Sequence, residues 1–516
     1  MGGGAHWPAG LPRGTSSKGG TGHTTKCTGQ TKRKAFVSYM LLGMTTNAPT
    51  GGQPDIAVTA TPGAETVARL RTTFNTGRTK PVAWRKQQLQ ALRRLLTEHE
   101  DVFVQALQTD LGKSATESRM MEIGFLVREI DHTLSHLDRW LRPKRASVPL
   151  SLMPSRAWTV REPLGVVLVI APWNYPLNLA LAPVIGAVAA GNAVVLKPSE
   201  VAPATSAVLA HWLPRVLDPQ AVAVVEGGVP ETTALLEQRF DHIFYTGNGM
   251  VGRIVMTAAA RHLTPVTLEL GGKSPAVVEP GTDLATAARR IALGKFMNAG
   301  QTCVAPDYVL AIGEAAAEME AHLTQAVREM YGADPARSND YGRIVNERHF
   351  DRLAGLLNDG RTVVGGDHDR DARYIAPTVL ADVDPDSPVM RDEIFGPILP
   401  VVRVPDLDAA IAFITGRDKP LALYAFTASK RSKRRLTAET SSGGLAFGLS
   451  LLQLGALALP FGGVGESGMG HYHGSYSLDT FSHLKSVLDK PLKPDTLGVA
   501  TPPYTRGKDR ILRRIT

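Results

Sequence analysis

A chain of 516 residues with 43% apolar and 20% charged side chains is long enough for several domains and too apolar to remain disordered throughout. Its net charge of +9 resides in the ends, because residues 1–60 and 485–516 each carry five surplus positive charges while 61–484 is close to neutral. That distribution excludes a nucleic-acid binder with a basic body. The two cysteines, Cys27 and Cys303, exclude a disulfide framework or a cysteine-built zinc cluster and fit a reducing, cytoplasmic setting.

Residues 1–63 are rich in Gly, Thr, Ser and Lys without sustained periodicity, which predicts a disordered, basic N-terminal extension. Lys32-Arg33-Lys34 followed by Ala35–Met44 has the outline of a signal peptide. The apolar stretch is short, however, holds Ser38 and Tyr39, and begins far from Met1, so a dispensable tail is preferred. Leu89, Leu92, Leu96, Phe103 and Leu107 then fall on one helical face ending near Gly112, and Met121, Phe125, Ile130, Leu134 and Leu137 mark a second helix. Two helices are thus expected before the first strand, with 147–161 an extended, hairpin-like piece. The 34 uncharged residues from Pro163 to Leu196 would satisfy a membrane-span window. Pro172, Asn174, Pro176, Pro183, Gly186 and Gly191 interrupt them, and a buried strand–helix–strand unit accounts for them better. Apolar strands at Val166–Ile170, Ala193–Leu196, Val222–Val225, His242–Tyr245 and Pro265–Leu268 alternate with helical segments. This predicts an α/β fold with a doubly wound parallel sheet. Arg506 to Arg514, with Ile511, Leu512 and Ile515, has the composition of a short basic amphipathic turn able to meet an acidic membrane, and is read here as a frayed basic tail.

Tyr245-Thr246-Gly247-Asn248-Gly249-Met250-Val251-Gly252 follows a strand and opens a helix running to about His262. Glycines there let backbone N–H groups approach a pyrophosphate at a helix N-terminus, although such a turn also serves close strand–helix packing. The acid that a dinucleotide reading would give to the ribose is Glu269. It lies instead in Thr267-Leu268-Glu269-Leu270-Gly271-Gly272-Lys273-Ser274-Pro275, at the end of an apolar strand, where a parallel sheet presents its ligand edge. Asn298-Ala299-Gly300-Gln301-Thr302-Cys303 carries the sole cysteine of the body. Together with Ala171-Pro172-Trp173-Asn174-Tyr175-Pro176, Lys197-Pro198-Ser199-Glu200, Glu393-Ile394-Phe395-Gly396-Pro397 and Leu459-Pro460-Phe461-Gly462-Gly463, these motifs resemble, in this order, the aldehyde dehydrogenase superfamily. The resemblance runs from about residue 64 to near 490. Phe240-Asp241-His242-Ile243, Thr264-Pro265-Val266-Thr267 and the run Gly465 to Gly474 look like its class 3 branch of fatty and aromatic aldehyde dehydrogenases.

The resemblance implies two doubly wound α/β domains and a small β oligomerisation arm. Residues 64–141 and 162–270 would bind NAD or NADP, 271–477 would form the catalytic domain, 142–161 and 478–495 the arm of a homodimer, and 496–516 a basic tail. It also makes Cys303 the nucleophile, Glu269 the general base and Asn174 the oxyanion donor. Lys197 and Glu200 would meet the adenosine ribose, Thr246, Gly247 and Gly252 line the cofactor cleft, Glu393 hold the nicotinamide ribose and Phe395 pack near the nicotinamide. The chemistry agrees: an aldehyde yields hydride once a thiolate has made its carbon tetrahedral, the alkoxide needs aimed donors, and the thioester left behind needs a base-activated water. The expected reaction is NAD(P)-dependent oxidation of apolar aliphatic or aromatic aldehydes to carboxylic acids. Glu200 permits NAD by disfavouring a 2′-phosphate. The alternatives are a CoA-acylating enzyme, which Glu269 argues against, and a non-enzymatic membrane-surface protein. His471 and His473 lack a third ligand nearby, so no metal is expected, and Gly465-Glu466-Ser467-Gly468-Met469 fails as a hydrolase elbow at Met469. Two departures from the family pattern are Asn248 in place of serine, which would weaken a phosphate contact, and apolar Phe447-Gly448-Leu449-Ser450, which would give a greasier wall beside the substrate channel.

Overall fold

The computed structural model describes residues 63–515. The expected extension over 1–62, with Cys27 and the signal-like Lys32-Arg33-Lys34 run, lies outside the described residues. Helices Ala64–Asn75, Val82–Glu98, Glu100–Leu111 and Gly124–Trp140 precede the first strand, so the two-helix expectation is corrected. The apolar face through Leu89 and Phe103 does bury in one core, but the backbone leaves the helical region at His99 (φ −120°, ψ 30°). Glu100 and Asp101 then restart it with acids in the first turn, where the helix dipole favours them. A π-helical turn at Arg119–Ile123 leads into Gly124–Trp140.

Two sheets carry the molecule. The first has six strands in the order Gly468–Met469, Val266–Glu269, His242–Thr246, Val166–Ile170, Ala193–Lys197, Val222–Val224. All its pairings are parallel except that of Gly468–Met469. The chain enters at the centre with Val166–Ile170, builds outward one way, then returns to build the other. The strand order therefore reverses between Val166–Ile170 and His242–Thr246, and carboxyl ends at such a point open a crevice for ligands. The uncharged stretch after Pro163 is a strand, the helix Asn178–Ala190 and a strand, all deeply buried. Among the described residues no helix is long and apolar enough to cross a membrane.

The second sheet runs Arg361–Val364, Thr378–Ala381, Ile398–Val404, Tyr308–Ile312, Pro275–Val278, Ala422–Phe426, Gly444–Phe447. It is parallel apart from the edge strand Arg361–Val364. The third sheet is antiparallel and formed by Lys144–Ala146, Arg156–Pro163 and Ser482–Asp489. Its hairpin begins before the expected 147 and encloses a 3-10 turn at Leu150–Leu152. The chain leaves the second sheet's layer before 477: Gly468–Met469 joins the first sheet, and Tyr472, Leu478 and Phe481 bury against its helical layer. The tail read as frayed is a helix, Arg506–Ile515, with Asp509 paired to Arg513 one turn on at 2.9 Å.

Candidate active site

Four of the sequence-selected residues stand at carboxyl ends of first-sheet strands. Lys197, Thr246 and Glu269 each close one, and Asn174 follows Ile170 in the loop to the next helix. Three others stand at the amino edge of the second sheet, with Cys303 ahead of Tyr308–Ile312 and both Glu393 and Phe395 ahead of Ile398–Val404. The linker Leu270–Ser274 joins the edges directly. The Asn174 Nδ2 donates to Gln301 O at 3.0 Å, Tyr175 Oη and Thr302 Oγ1 share a hydrogen bond of 2.9 Å, and the Trp173 and Phe395 rings meet edge to face at 5.4 Å.

Cys303 is delivered by a contorted loop. Asn298, Ala299 and Gly300 have φ of 52°, 51° and 74°, a left-handed run that side chains other than glycine disfavour. A Cβ at Gly300 would lie 2.2 Å from Gly396 O, so the glycine lets the loop press against the segment carrying Phe395. Gln301 anchors it: Nε2 donates to Asn298 O and Arg343 O, both at 3.0 Å, and Oε1 accepts from Val345 N at 2.9 Å. Burial pushes the Cys303 thiol pKa up, and negative charge on Glu393 and Glu269 adds to the rise. The Cys303 and Val304 backbone N–H groups act the other way, favouring thiolate. Both carboxylates are thus close enough to sense the sulfur.

Glu269 is 2% exposed, and neither of its oxygens has a hydrogen-bond partner. Burial without compensation holds its carboxyl well above the ordinary range. A carboxyl so placed has raised basicity, and whenever it is ionised it is a strong proton acceptor. Asn174, also 2% exposed, commits one side-chain N–H to Gln301 O. Among the described residues no acceptor takes the other, which is free for a developing alkoxide. The Asn174 main-chain carbonyl is held by Lys113 Nζ at 2.9 Å and Asn298 Nδ2 at 2.7 Å.

The cofactor candidates form a second group. Thr246 Oγ1 is buried without a partner beside the N-terminus of the helix Gly249–Ala260. Gly247 sits under the Tyr245 hydroxyl, which a Cβ would approach to 2.2 Å, and a Cβ at Gly252 would come within 3.2 Å of the Leu270 side chain, so Gly252 lets the helix lie close to the linker that follows Glu269. Asn248 caps the helix, its side-chain oxygen accepting from Val251 N at 3.0 Å, which gives a local reason for an amide there. The buried Lys197 donates from Nζ to Pro198 O at 2.7 Å and meets the half-exposed Glu200 at 3.3 Å. Glu393 has one unpartnered buried oxygen, and its carboxyl is raised to about 8, first by burial and then by Asp307. Gly271 makes room for it, since a Cβ would fall 2.0 Å from Glu393 Oε2. A helix N-terminus, an unpaired hydroxyl, a lysine and a carboxyl with one unpaired oxygen fit the phosphates and ribose hydroxyls of a dinucleotide.

The discarded motifs have ordinary structural explanations. Ser467 Oγ bonds Val464 N and O, His473 lies against the Tyr472 ring, meets Phe125 edge to face and faces Glu129, and no metal-ligating cluster occurs among the described residues. Phe447 and Leu449 turn inward against the second-sheet core. Sequence reasoning missed Lys113, Glu122, Tyr175 and Gln301, which support the site; the available signal was Glu122, a charge set among apolar Met121, Ile123 and Phe125.

The two sheets place a cysteine, a buried unpartnered carboxyl and a helix N-terminus along the ligand edge of a doubly wound α/β fold. The chain belongs to the aldehyde dehydrogenase family, whose family model matches residues 56–487. Aldehyde dehydrogenase family 3 member B1 of Bos taurus is 50% identical over 87% of this chain and 97% of its own length. The dimeric NADP-preferring aldehyde dehydrogenase of Rattus norvegicus is 50% identical over 86% and 98%. Among solved structures, Staphylococcus aureus AldH in a substrate-bound state superposes with a TM-score of 0.85 at 44% identity, covering 87% of this chain and 98% of that one. A Mycobacterium tuberculosis aldehyde dehydrogenase complexed with NAD+ gives 0.75 at 30% identity, covering 82% and 88%.

Proposed function

We propose that this protein oxidises apolar aliphatic or aromatic aldehydes to carboxylic acids with NAD or NADP, through covalent intermediates on Cys303. The observation that carries this reading is the buried, partnerless Glu269 carboxyl within electrostatic reach of the Cys303 sulfur, with one Asn174 N–H uncommitted where that amide meets Gln301 O in the cysteine loop. Cys303 adds to the aldehyde carbon, and Asn174 Nδ2 and the Cys303 backbone N–H receive the oxygen as it becomes an alkoxide. Thr246, Lys197, Glu200 and Glu393 would hold a nicotinamide dinucleotide, which would supply the hydride acceptor. Glu269 then takes a proton from the water that attacks the thioester, and the carboxylic acid leaves. Met121, Tyr175, Leu179, Leu454 and Phe461 belong to the same apolar cluster as Cys303, which supports a preference for greasy substrates; hexanal should outperform a short polar aldehyde. Cys303→Ser should still bind NAD yet lose aldehyde oxidation, and retained turnover would overturn the assignment. A CoA requirement for product formation would transfer the protein to the acylating class.

The rat relative is named as dimeric, and the antiparallel sheet with its exposed edge strand Ser482–Asp489 supports a homodimer here. A monomer in sedimentation at micromolar concentration would contradict it. A thiol that must stay reduced supports a cytoplasmic location, which cell fractionation tests.

A further inference from the structure

We propose that Lys113 and Glu122, an ion pair that touches none of the reacting atoms, are positioning residues for the oxyanion donor. This rests on Asn174 having that role. Both side chains are fully buried. Lys113 Nζ is hydrogen-bonded to Glu122 Oε1, donates to the Asn174 main-chain oxygen at 2.9 Å, and lies 3.9 Å from the Tyr175 ring centroid. The second Glu122 oxygen accepts from Leu177 N and Asn178 N, each at 3.0 Å. The helix Asn178–Ala190 has no side-chain cap of its own, so a glutamate from another element satisfies its first amides. The pair therefore clamps the second half of the loop from strand to helix, by its carbonyl at 174 and its amides at 177 and 178. It also holds the Tyr175 ring, whose hydroxyl bonds Thr302 next to Cys303.

Stability alone does not account for this arrangement. Two charges withdrawn from water recover their desolvation cost poorly, and apolar side chains of similar volume often stabilise as well. A lysine and a glutamate do supply what apolar groups lack, a fixed direction for a carbonyl and two amides. That direction sets the Asn174 backbone, and the Gln301 carbonyl then sets the plane of its carboxamide.

The test is a double-mutant cycle of Lys113→Met with Asn174→Ala, reading kcat, the KM for NAD and NAD affinity by fluorescence quenching. Displacing a catalytic group by about 1 Å costs about 100-fold, so Lys113→Met should lower kcat by about 10- to 100-fold with NAD affinity kept. In the Asn174→Ala background the same change should cost less than about threefold, because the donor it positions is already gone. Equal losses in both backgrounds, or an unchanged kcat in Lys113→Met, would overturn the proposal. Should Lys113→Met not fold, Glu122→Gln enters the same cycle, retaining an acceptor for the amides but losing the charge that orients Lys113. Asn174→Ala alone separates the two levels. If it retains kcat, the oxyanion reading fails and the positioning role falls with it; if it loses kcat while the cycle is additive, only the positioning role falls.

Discussion

Replacing Asn174 with alanine isolates one element of the mechanism, because the structure keeps its chemical and structural consequences apart. The side chain gives one N–H to Gln301 O and, in the proposed mechanism, the other to the reacting oxygen. Removing it orphans no acceptor, since Gln301 O also receives Asn298 Nδ2 at 3.2 Å and the Asn174 carbonyl keeps Lys113 and Asn298. The expected stability loss is therefore about 1 kcal/mol, that of one ordinary hydrogen bond. An oxyanion donor is worth about 2.7–4 kcal/mol in the transition state, a fall in kcat of about 10²–10³-fold. Initial rates of NAD(P)H formation with hexanal, NAD titration by fluorescence and a thermal melt measure the three quantities on one preparation. A kcat within about threefold of the native value, with NAD affinity intact, would refute the reasoning, because the donor would then contribute no differential binding.

Glu269→Gln should slow turnover by about 10²–10⁴-fold and also slow the first-turnover burst of NAD(P)H, since the same carboxyl is proposed to take the thiol proton and to activate the hydrolytic water; an undiminished steady-state rate would exclude that role. The same variant carries a stability signature. Burial raises the Glu269 carboxyl above its ordinary 4.5, so the native state retains a proton that the unfolded chain releases, and native stability declines as pH rises above about 4.5. Relative to the native protein, Glu269→Gln should gain in Tm as pH rises above about 4.5, and a constant difference would contradict the burial argument. Gly300→Ala would place a Cβ 2.2 Å from Gly396 O and displace the cysteine loop, costing about 100-fold or more in kcat with NAD affinity preserved; full activity would remove the loop from the argument. Gly271→Ala would drive Glu393 from its recess and should raise the KM for NAD(P), an unchanged KM telling against a ribose contact.

What could be seen in the sequence were residues whose neighbours in the chain are also their neighbours in the fold. Val166–Ile170 and the strands after it are short, apolar and separated by helical segments, so local pattern and tertiary setting agree. Glu269 announced itself as a charge at the end of such a strand, and Cys303 as a lone thiol in a small, uncharged run. His99 was invisible because the apolar stripe continues across it: burial periodicity reports the face, not the backbone angles that interrupt it. Gly468–Met469 was assigned to the wrong layer because two residues carry no period at all. Lys113 and Glu122 were missed for a further reason. Their meaning lies in a carbonyl at 174 and amides at 177 and 178, more than fifty residues downstream, and main-chain groups have no letter in a sequence.

The same distance effect explains why the proposed nucleophile and base are best treated as one titrating unit. Burial raises both the Cys303 thiol and the Glu269 carboxyl, which alone would leave the sulfur unreactive. Releasing the thiol proton to solvent adds a negative charge to a closed site, already disfavoured when Glu269 is ionised. Passing it to Glu269 changes nothing in the total, so burial opposes that transfer far less. The thiolate then forms together with a neutral carboxyl, the pairing that attack on the aldehyde requires. Once the sulfur is bonded to carbon it carries no charge, the repulsion that favoured the neutral acid disappears, and Glu269 can release its proton to solvent and stand ionised when the thioester comes to need water. Desolvation of two groups that never need to be charged together thus becomes the means of ordering the two halves of the reaction.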